Sequence, residues 1–328
     1  MTSVLDRATI VRSPREHRTQ ATVFGLDVHA DTSLSFLQGA RATPTGNALE
    51  LSVAPADAAP NWPSCARLVC DQREPDGSVS FRIEAHPQGG FLIWGPAYGS
   101  HLLSSDGRRL WCAPEGRCAG DWQRLLIGQV LPFAALLRGL EILHASAVAI
   151  EGGAIAFLGR AGSGKTSAAL ELTRRGAAFV ADDVLALARA GEVLLAQPGT
   201  PVAGVDHAEA RRLAQVGATR PMETLAVNAH ERLVRMPGAA APAPLTTLFF
   251  LDRRRDGPRE PRFAAVDDPR LLLGATFNSV LTQRARLREL LEVCALAARR
   301  RVERVMIGPC VDAAALATAL ERRIGGRT

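Results

Sequence analysis

Ala154-Ile-Ala-Phe-Leu158-Gly159-Arg160-Ala161-Gly162-Ser163-Gly164-Lys165-Thr166-Ser167 is the stretch on which the fold of this chain turns. Five apolar residues bounded by glycine read as a buried strand. The next eight match G-x-x-x-x-G-K-[ST], and Ala168, Leu170 and Leu172 then supply an apolar side for a helix over Gly164–Arg175. Glycines let the backbone curl so that several N–H groups converge on one anion, and the helix behind them aims its positive end at the same point. Lys165 is placed to bridge β- and γ-phosphates and the Thr166 hydroxyl to ligate Mg²⁺. The residues expected to hold ATP–Mg²⁺ are therefore Gly159, Arg160, Ala161, Gly162, Ser163, Gly164, Lys165, Thr166 and Ser167.

Composition sharpens the reading of Lys165. Of 39 basic residues, 38 are arginine, and Lys165 is the only lysine in 328 residues. A GC-rich genome replaces lysine by arginine wherever either will do. It spares a lysine whose compact ammonium must fit inside a loop. The net charge is +6, but there are only 16 aromatics (11 Phe, 4 Trp, 1 Tyr) and no basic stripe interleaved with them, which argues against nucleic acid. The longest apolar run, Leu125–Leu143, is broken by Gln129, Pro132, Arg138 and Glu141, so no membrane span is expected. The N-terminus lacks the pattern of a secretory signal. Six cysteines without a CxxC pair read as reduced thiols of a cytoplasmic protein.

Outward from the loop, Ala145–Ile150 reads as a second apolar strand, and Ala177–Val180 as a third that ends in Asp182-Asp183. Strands follow at Val184–Ala188, Val193–Leu195, Leu245–Leu251 and Val302–Ile307. Helices follow at His207–Val216, Pro269–Phe277, Thr282–Arg300 and Asp312–Arg323. The alternation indicates an α/β domain over 121–328, opening with the helical stretch Asp121–Leu143. Residues 200–240 read as loop-rich, and Arg253–Arg262 as a solvated charged loop. Residues 1–21 are expected to fray. Residues 22–120 read as a smaller β-rich N-terminal domain, antiparallel, with segments such as Leu34–Leu37, Ala48–Val53, Ala66–Cys70 and Val79–Ala85 separated by Gly, Pro, Asn and Asp.

Ligands gather at strand C-terminal ends in parallel α/β sheets. Asp182 and Asp183 stand at such an end, just beyond the loop helix. Adjacent carboxylates there can hold Mg²⁺ and take a proton from an acceptor hydroxyl. On its own, Asp-Asp is also a common turn, and His144 alone would be structural.

The ordered set His144-Ala-Ser-Ala-Val-Ala-Ile150, Gly159–Thr166, Arg175-Gly176 and Ala181-Asp182-Asp183-Val184 resembles the catalytic core of HPr kinase/phosphorylase. Within that group it is most similar to the kinases that phosphorylate the C-terminal serine of lasso-peptide precursors. A weaker match takes in Thr276-Phe277-Asn278 and Val302–Ile324. The resemblance implies a phosphoenolpyruvate-carboxykinase-like P-loop domain with a mixed sheet. It implies Lys165 and Thr166 at the phosphates and metal, Asp182 as general base, Asp183 as Mg²⁺ ligand and His144 as their orienting partner, with the two aspartates open to exchange. It also leaves homo-oligomerisation open, since HPr kinases are hexamers. The family's second motif is missing from Gln197–Val205, which argues against HPr as substrate. Arg160, Arg232 and Arg235 are the arginines considered for the transition state. The expected reaction is γ-phosphoryl transfer to a Ser or Thr hydroxyl of a peptide or protein. The alternatives are a nucleotide-binding partner without transfer of its own, and a kinase for a small metabolite such as serine.

Overall fold

The computed structural model describes residues 19–40, 43–55, 62–115, 119–151, 153–215, 223–228, 231–266, 268, 270–277 and 283–325. The chain forms two compact units, Met1–Leu140 and Glu141–Thr328. Among the described residues, no helix is long and apolar enough to cross a membrane, and Cys65, Cys70, Cys112, Cys294 and Cys310 are free thiols. Cys118 lies outside those residues.

The first unit carries β1 (Thr19–Val23), β2 (Leu26–Ala30), β3 (Ala48–Val53), β4 (Arg67–Arg73), β5 (Val79–Ala85), β6 (Phe91–Gly95), β7 (Gly99–Leu103) and β8 (Arg109–Ala113). They form one sheet in the order β1-β2-β3-β8-β7-β6-β5-β4. It is mixed rather than antiparallel. The pairs β2–β3 and β3–β8 run parallel, because longer connections separate those strands in sequence. Thr19–Ala21, expected to fray, lie in β1, while residues 1–18 fall outside the described set. The β1–β2 hairpin turns at Phe24-Gly25, both at positive φ (54° and 72°). Such turns usually show Asn-Gly or Asp-Gly, so this one carried no signal. Leu34–Leu37 is a 3₁₀ turn over Ser35–Leu37 that buries Phe36 and Leu37.

The helical stretch is α1 (Ala119–Leu125), a π-turn (Leu126–Val130) and α2 (Leu131–Leu137). Pro132 has no N–H to give the Gly128 carbonyl, and the widened turn absorbs the loss. The division between units therefore lies at 140/141, not at 120/121. The helices pack on the first unit's sheet: Phe133 meets Phe91 edge-on at 4.9 Å between centroids, and Trp122 stacks on His101 at 6.3 Å.

The second unit begins with β9 (Glu141–Leu143), β10 (Ser146–Ile150), β11 (Gly153–Leu158), α3 (Lys165–Arg174) and β12 (Ala178–Ala181). β13 (Leu185–Ala190), β14 (Val193–Gln197), β15 (Val202–Asp206), α4 (His207–Gln215), β16 (Thr224–Val227), β17 (Glu231–Arg235) and β18 (Ala243–Arg253) follow. The chain closes with β19 (Arg262–Ala265), α5 (Arg270–Leu273), α6 (Arg284–Ala298), β20 (Arg301–Ile307) and α7 (Ala313–Gly325). The main sheet runs β12-β10-β11-β18-β14-β13-β9, with β20 on β18 and β19 on β20. Among the described residues its parallel pairs are β11–β18 and β18–β20, so this sheet too is mixed. Strand alternation sorts its two faces. Phe157 and Phe249 face α3 and α7 through Ala168, Leu172, Leu316 and Leu320, while Ala156, Leu158 and Phe250 face α6 through Val293 and Leu296.

Two expectations are corrected here. Residues 200–240 are not mainly loop: β15, β17 and β16 form a three-stranded sheet in that order. Pro269–Phe277 is helical only over Arg270–Leu273; Pro269 lies outside the described residues. Thr276 then bridges Leu143, and the N–H of His144 donates to the Ala275 carbonyl at 2.7 Å. A three-leucine run is too short for its period to separate a full helix from one turn followed by extended chain.

Candidate active site

Three strand ends meet at the loop. β11 runs into Gly159. β10 is antiparallel to β11, pairing Ser146 with Phe157, so the start of β10 lies beside the end of β11. β12 is antiparallel to β10, pairing Ala181 with Ala147, so its C-terminal end arrives there as well. His144 and Ser146 thus enter from one chain direction and Asp182 and Asp183 from the other.

The loop has the backbone its glycines allow. Gly159, Gly162 and Gly164 stand at φ 142°, 75° and 100°. At Gly159 space is also closed: a Cβ there would lie 2.5 Å from the Leu251 carbonyl oxygen and 2.7 Å from Ser163 Oγ. Lys165 is 7% exposed, and its Nζ donates to the Gly159 carbonyl at 2.9 Å and to that of Arg160 at 3.4 Å. Burial holds the Lys165 pKa below its ordinary value against the opposing pull of Asp183 and Asp182. Ser163 Oγ is buried without a hydrogen-bond partner. A buried hydroxyl left unpaired within a glycine cradle, next to an enclosed ammonium, fits a phosphate. Arg160, Ala161 and Gly162 form the exposed rim, and Ser167 is half-buried in the first turn of α3.

Asp182 ties this loop to the carboxylate pair. Its Oδ1 accepts from Thr166 Oγ1 at 2.8 Å and from Ser146 Oγ at 2.6 Å; its Oδ2 accepts from the Gly204 N–H at 3.0 Å. The residue is only partly buried, but its carboxylate is enclosed. That burial, helped by the neighbouring Asp183 charge, lifts its pKa from 3.8 to about 6 against the three donors.

Asp183 is placed differently. It is 58% exposed and its φ is 64°. The Val184 N–H donates to the Asp182 carbonyl at 2.8 Å, closing a three-residue turn about it. Such a conformation costs about 1–3 kcal/mol and persists where the surroundings impose it. It turns the carboxylate to His144, whose Nδ1 lies 3.3 Å from Asp183 Oδ1. Burial pulls the His144 pKa down, the Asp183 charge opposes it and the Lys165 charge adds to it; the net direction is down.

His144, Lys165, Thr166, Asp182 and Asp183 therefore converge. The arginines proposed for the transition state do not: Arg160 is on the exposed rim, Arg232 is exposed on β17, and Arg235 is paired with Glu223 at 2.6 Å. Asn278 lies outside the described residues. Sequence reasoning passed over three groups. Ser146 stood in the quoted stretch, and the alternation of β10 put it on the loop side. Gly204 acts through its backbone, which leaves no mark on residue type. Arg253 read as solvated, yet it is half-buried beside Gly164.

No family model and no curated protein matches the chain. Among solved structures, it is similar to the HPr(Ser) kinase/phosphatase from Coxiella burnetii. Identity is 13%, over 57% of this chain and 95% of that one, with a TM-score of 0.31.

Proposed function

We propose that this protein is a phosphotransferase that moves the γ-phosphoryl group of ATP to a hydroxyl of a peptide or protein. One observation carries the reading: the 2.8 Å hydrogen bond from Thr166 to Asp182 joins a phosphate-binding loop to a carboxylate pair with a histidine behind it. A loop hydroxyl bonded to a strand-end aspartate is the arrangement by which P-loop enzymes hold Mg²⁺. Among the described residues, no group of three or more His, Cys, Asp or Glu side chains could hold an ion by itself. That suits Mg²⁺, which takes one or two protein ligands and completes its shell with water and phosphate oxygens. Thr166 and Asp182 would hold it, and it would offset charge developing on the phosphoryl oxygens.

This division reverses the one drawn from resemblance. Asp182 is enclosed and bonded to the loop, which suits the metal side. Asp183 is exposed and oriented by His144, which suits the general base. In the step, Asp183 takes the acceptor's hydroxyl proton as the oxygen bonds to phosphorus and the bond from phosphorus to the β-phosphate oxygen breaks. Lys165 and the loop N–H groups bind the chain that leaves as ADP. His144 fixes the carboxylate that accepts the proton. The C-terminal serine of a lasso-peptide precursor is the acceptor to try first, on the resemblance of His144–Val184 alone.

The test is label transfer from γ-labelled ATP to such a peptide, with ATP affinity measured alongside. Asp183→Asn should lower transfer by about 10²–10⁴-fold with ATP affinity little changed. Full transfer by that variant would sink the role of Asp183. ATP binding without transfer to any hydroxyl acceptor would favour a non-catalytic nucleotide-binding protein.

A further inference from the structure

Arg253 ends β18, the parallel neighbour of β11 on the side away from Asp182. Its Nη1 donates to the carbonyl oxygens of Gly308 and Val311, each at 3.0 Å, in the turn before α7. Its Nη2 lies 3.5 Å from where a Cβ on Gly164 would stand, against the loop at the start of α3. The guanidinium is half-buried, and burial alone lowers its pKa; no carboxylate contributes. Other arginines of this unit are matched to acids: Arg175 with Glu171, Arg212 with Glu209, and Arg323 with Glu303. A cation taken from water and given only neutral carbonyls is short of an anion. The nearby Ser163 Oγ is buried and equally short of a partner.

From these placements we infer that Arg253 is a nucleotide-binding residue that grips the phosphate chain from the flank opposite the aspartates. The inference rests on the phosphotransfer reading above. Asp182, Asp183 and His144 define the flank where the γ-phosphate meets its acceptor. Arg253 defines the other, so the α/β end of the chain lies toward β18 and the nucleoside leaves over that strand. The two carbonyls fix the guanidinium, so little side-chain freedom remains to be lost on binding.

The experiment is calorimetric titration of wild type, Arg253→Gln and Arg253→Lys with ATP, ADP and inorganic tripolyphosphate, each with Mg²⁺. Loss of a charge-assisted contact predicts roughly ten- to hundred-fold weaker binding of all three to Arg253→Gln. Arg253→Lys should also weaken binding, because one ammonium on a flexible stem does not reproduce the fixed guanidinium fork. It serves as the readout if the glutamine variant fails to fold. Unchanged affinity for ATP and tripolyphosphate in a folded variant overturns the inference. So does a loss confined to ATP and ADP with tripolyphosphate unaffected, which would assign Arg253 to the nucleoside instead. Failure of the wild type to bind any of the three overturns the phosphotransfer reading itself.

Discussion

Asp182 should make the metal-free protein less stable as pH rises, and the size of the effect follows from its surroundings. Enclosure of the carboxylate raises its pKa from 3.8 to about 6. The native state therefore keeps the proton to higher pH than the unfolded chain does. Stability is fully present below pH 3.8, falls as pH rises through the interval, and levels off above about 6. At about 1.36 kcal/mol per pH unit the whole loss is about 3 kcal/mol. Glu141, pushed by burial up to about 7, adds to the same trend, so Asp182 must be isolated by difference. Asp182→Asn keeps the shape and still accepts from Ser146 and Thr166. Its amide nitrogen would face the Gly204 N–H, a penalty that does not vary with pH. The assay is urea unfolding of both proteins in EDTA between pH 4 and 7.5. With a slope of about 1–3 kcal/mol per molar urea, the wild-type midpoint should fall by about 1–3 M relative to the variant across that range. Mg²⁺ with ATP should restore it in the wild type alone, because a bound cation favours the ionised carboxylate. Parallel pH profiles for the two proteins would refute the argument.

Two further outcomes follow from the loop. Gly159→Ala should abolish ATP binding and cost about 1–3 kcal/mol of stability, since its Cβ meets the fixed Leu251 carbonyl; Gly162→Ala, at φ 75° with open space around it, should keep binding and lose only about 1–2 kcal/mol, as calorimetry and thermal unfolding would show. Lys165→Arg should weaken ATP binding by at least about tenfold while the protein stays folded, because the wider guanidinium does not fit where the ammonium meets the Gly159 carbonyl; wild-type affinity in that variant would break the explanation offered for the only lysine.

What could be read in the sequence is what chemistry writes into residue identity. The loop demands Gly, Lys and Thr at fixed spacing, and Asp182-Asp183 stand where a strand stops, so these were legible. Ala48–Val53 and Val79–Ala85 were legible as strands because alternation and flanking turn residues mark them. Features held by backbone alone left no mark. Gly204 reaches Asp182 through an N–H that any non-proline residue owns. The Phe24-Gly25 turn lacks the residues that usually announce it. Arg253 sits among Arg254 and Arg255 in a run that looks like solvated surface. Only the pairing of β18 with β11 separates it from its neighbours.

Strand direction decides which residues share the site: the short connection from Ile150 to Gly153 admits only an antiparallel pair, whereas the parallel pairing of the distant β18 with β11 left no mark in the sequence. A parallel β10 would have needed a long crossover, and would have put Ile150 rather than Ser146 and His144 at the loop. Reversal of that one strand brings the start of β10 to the end of β11. Asp182 thereby gains Ser146 as a donor, and Asp183 gains His144 as its partner. The parallel pair β11–β18 does the converse and delivers a C-terminal residue, Arg253, to the other flank of the same loop. A mixed sheet thus gives the loop unlike neighbours, acidic on one side and basic on the other. A phosphate chain lying across it would meet the Arg253 guanidinium at one end and the Asp182–Asp183 pair at the other. That polarity, more than the loop motif, argues for transfer to an acceptor over simple nucleotide binding.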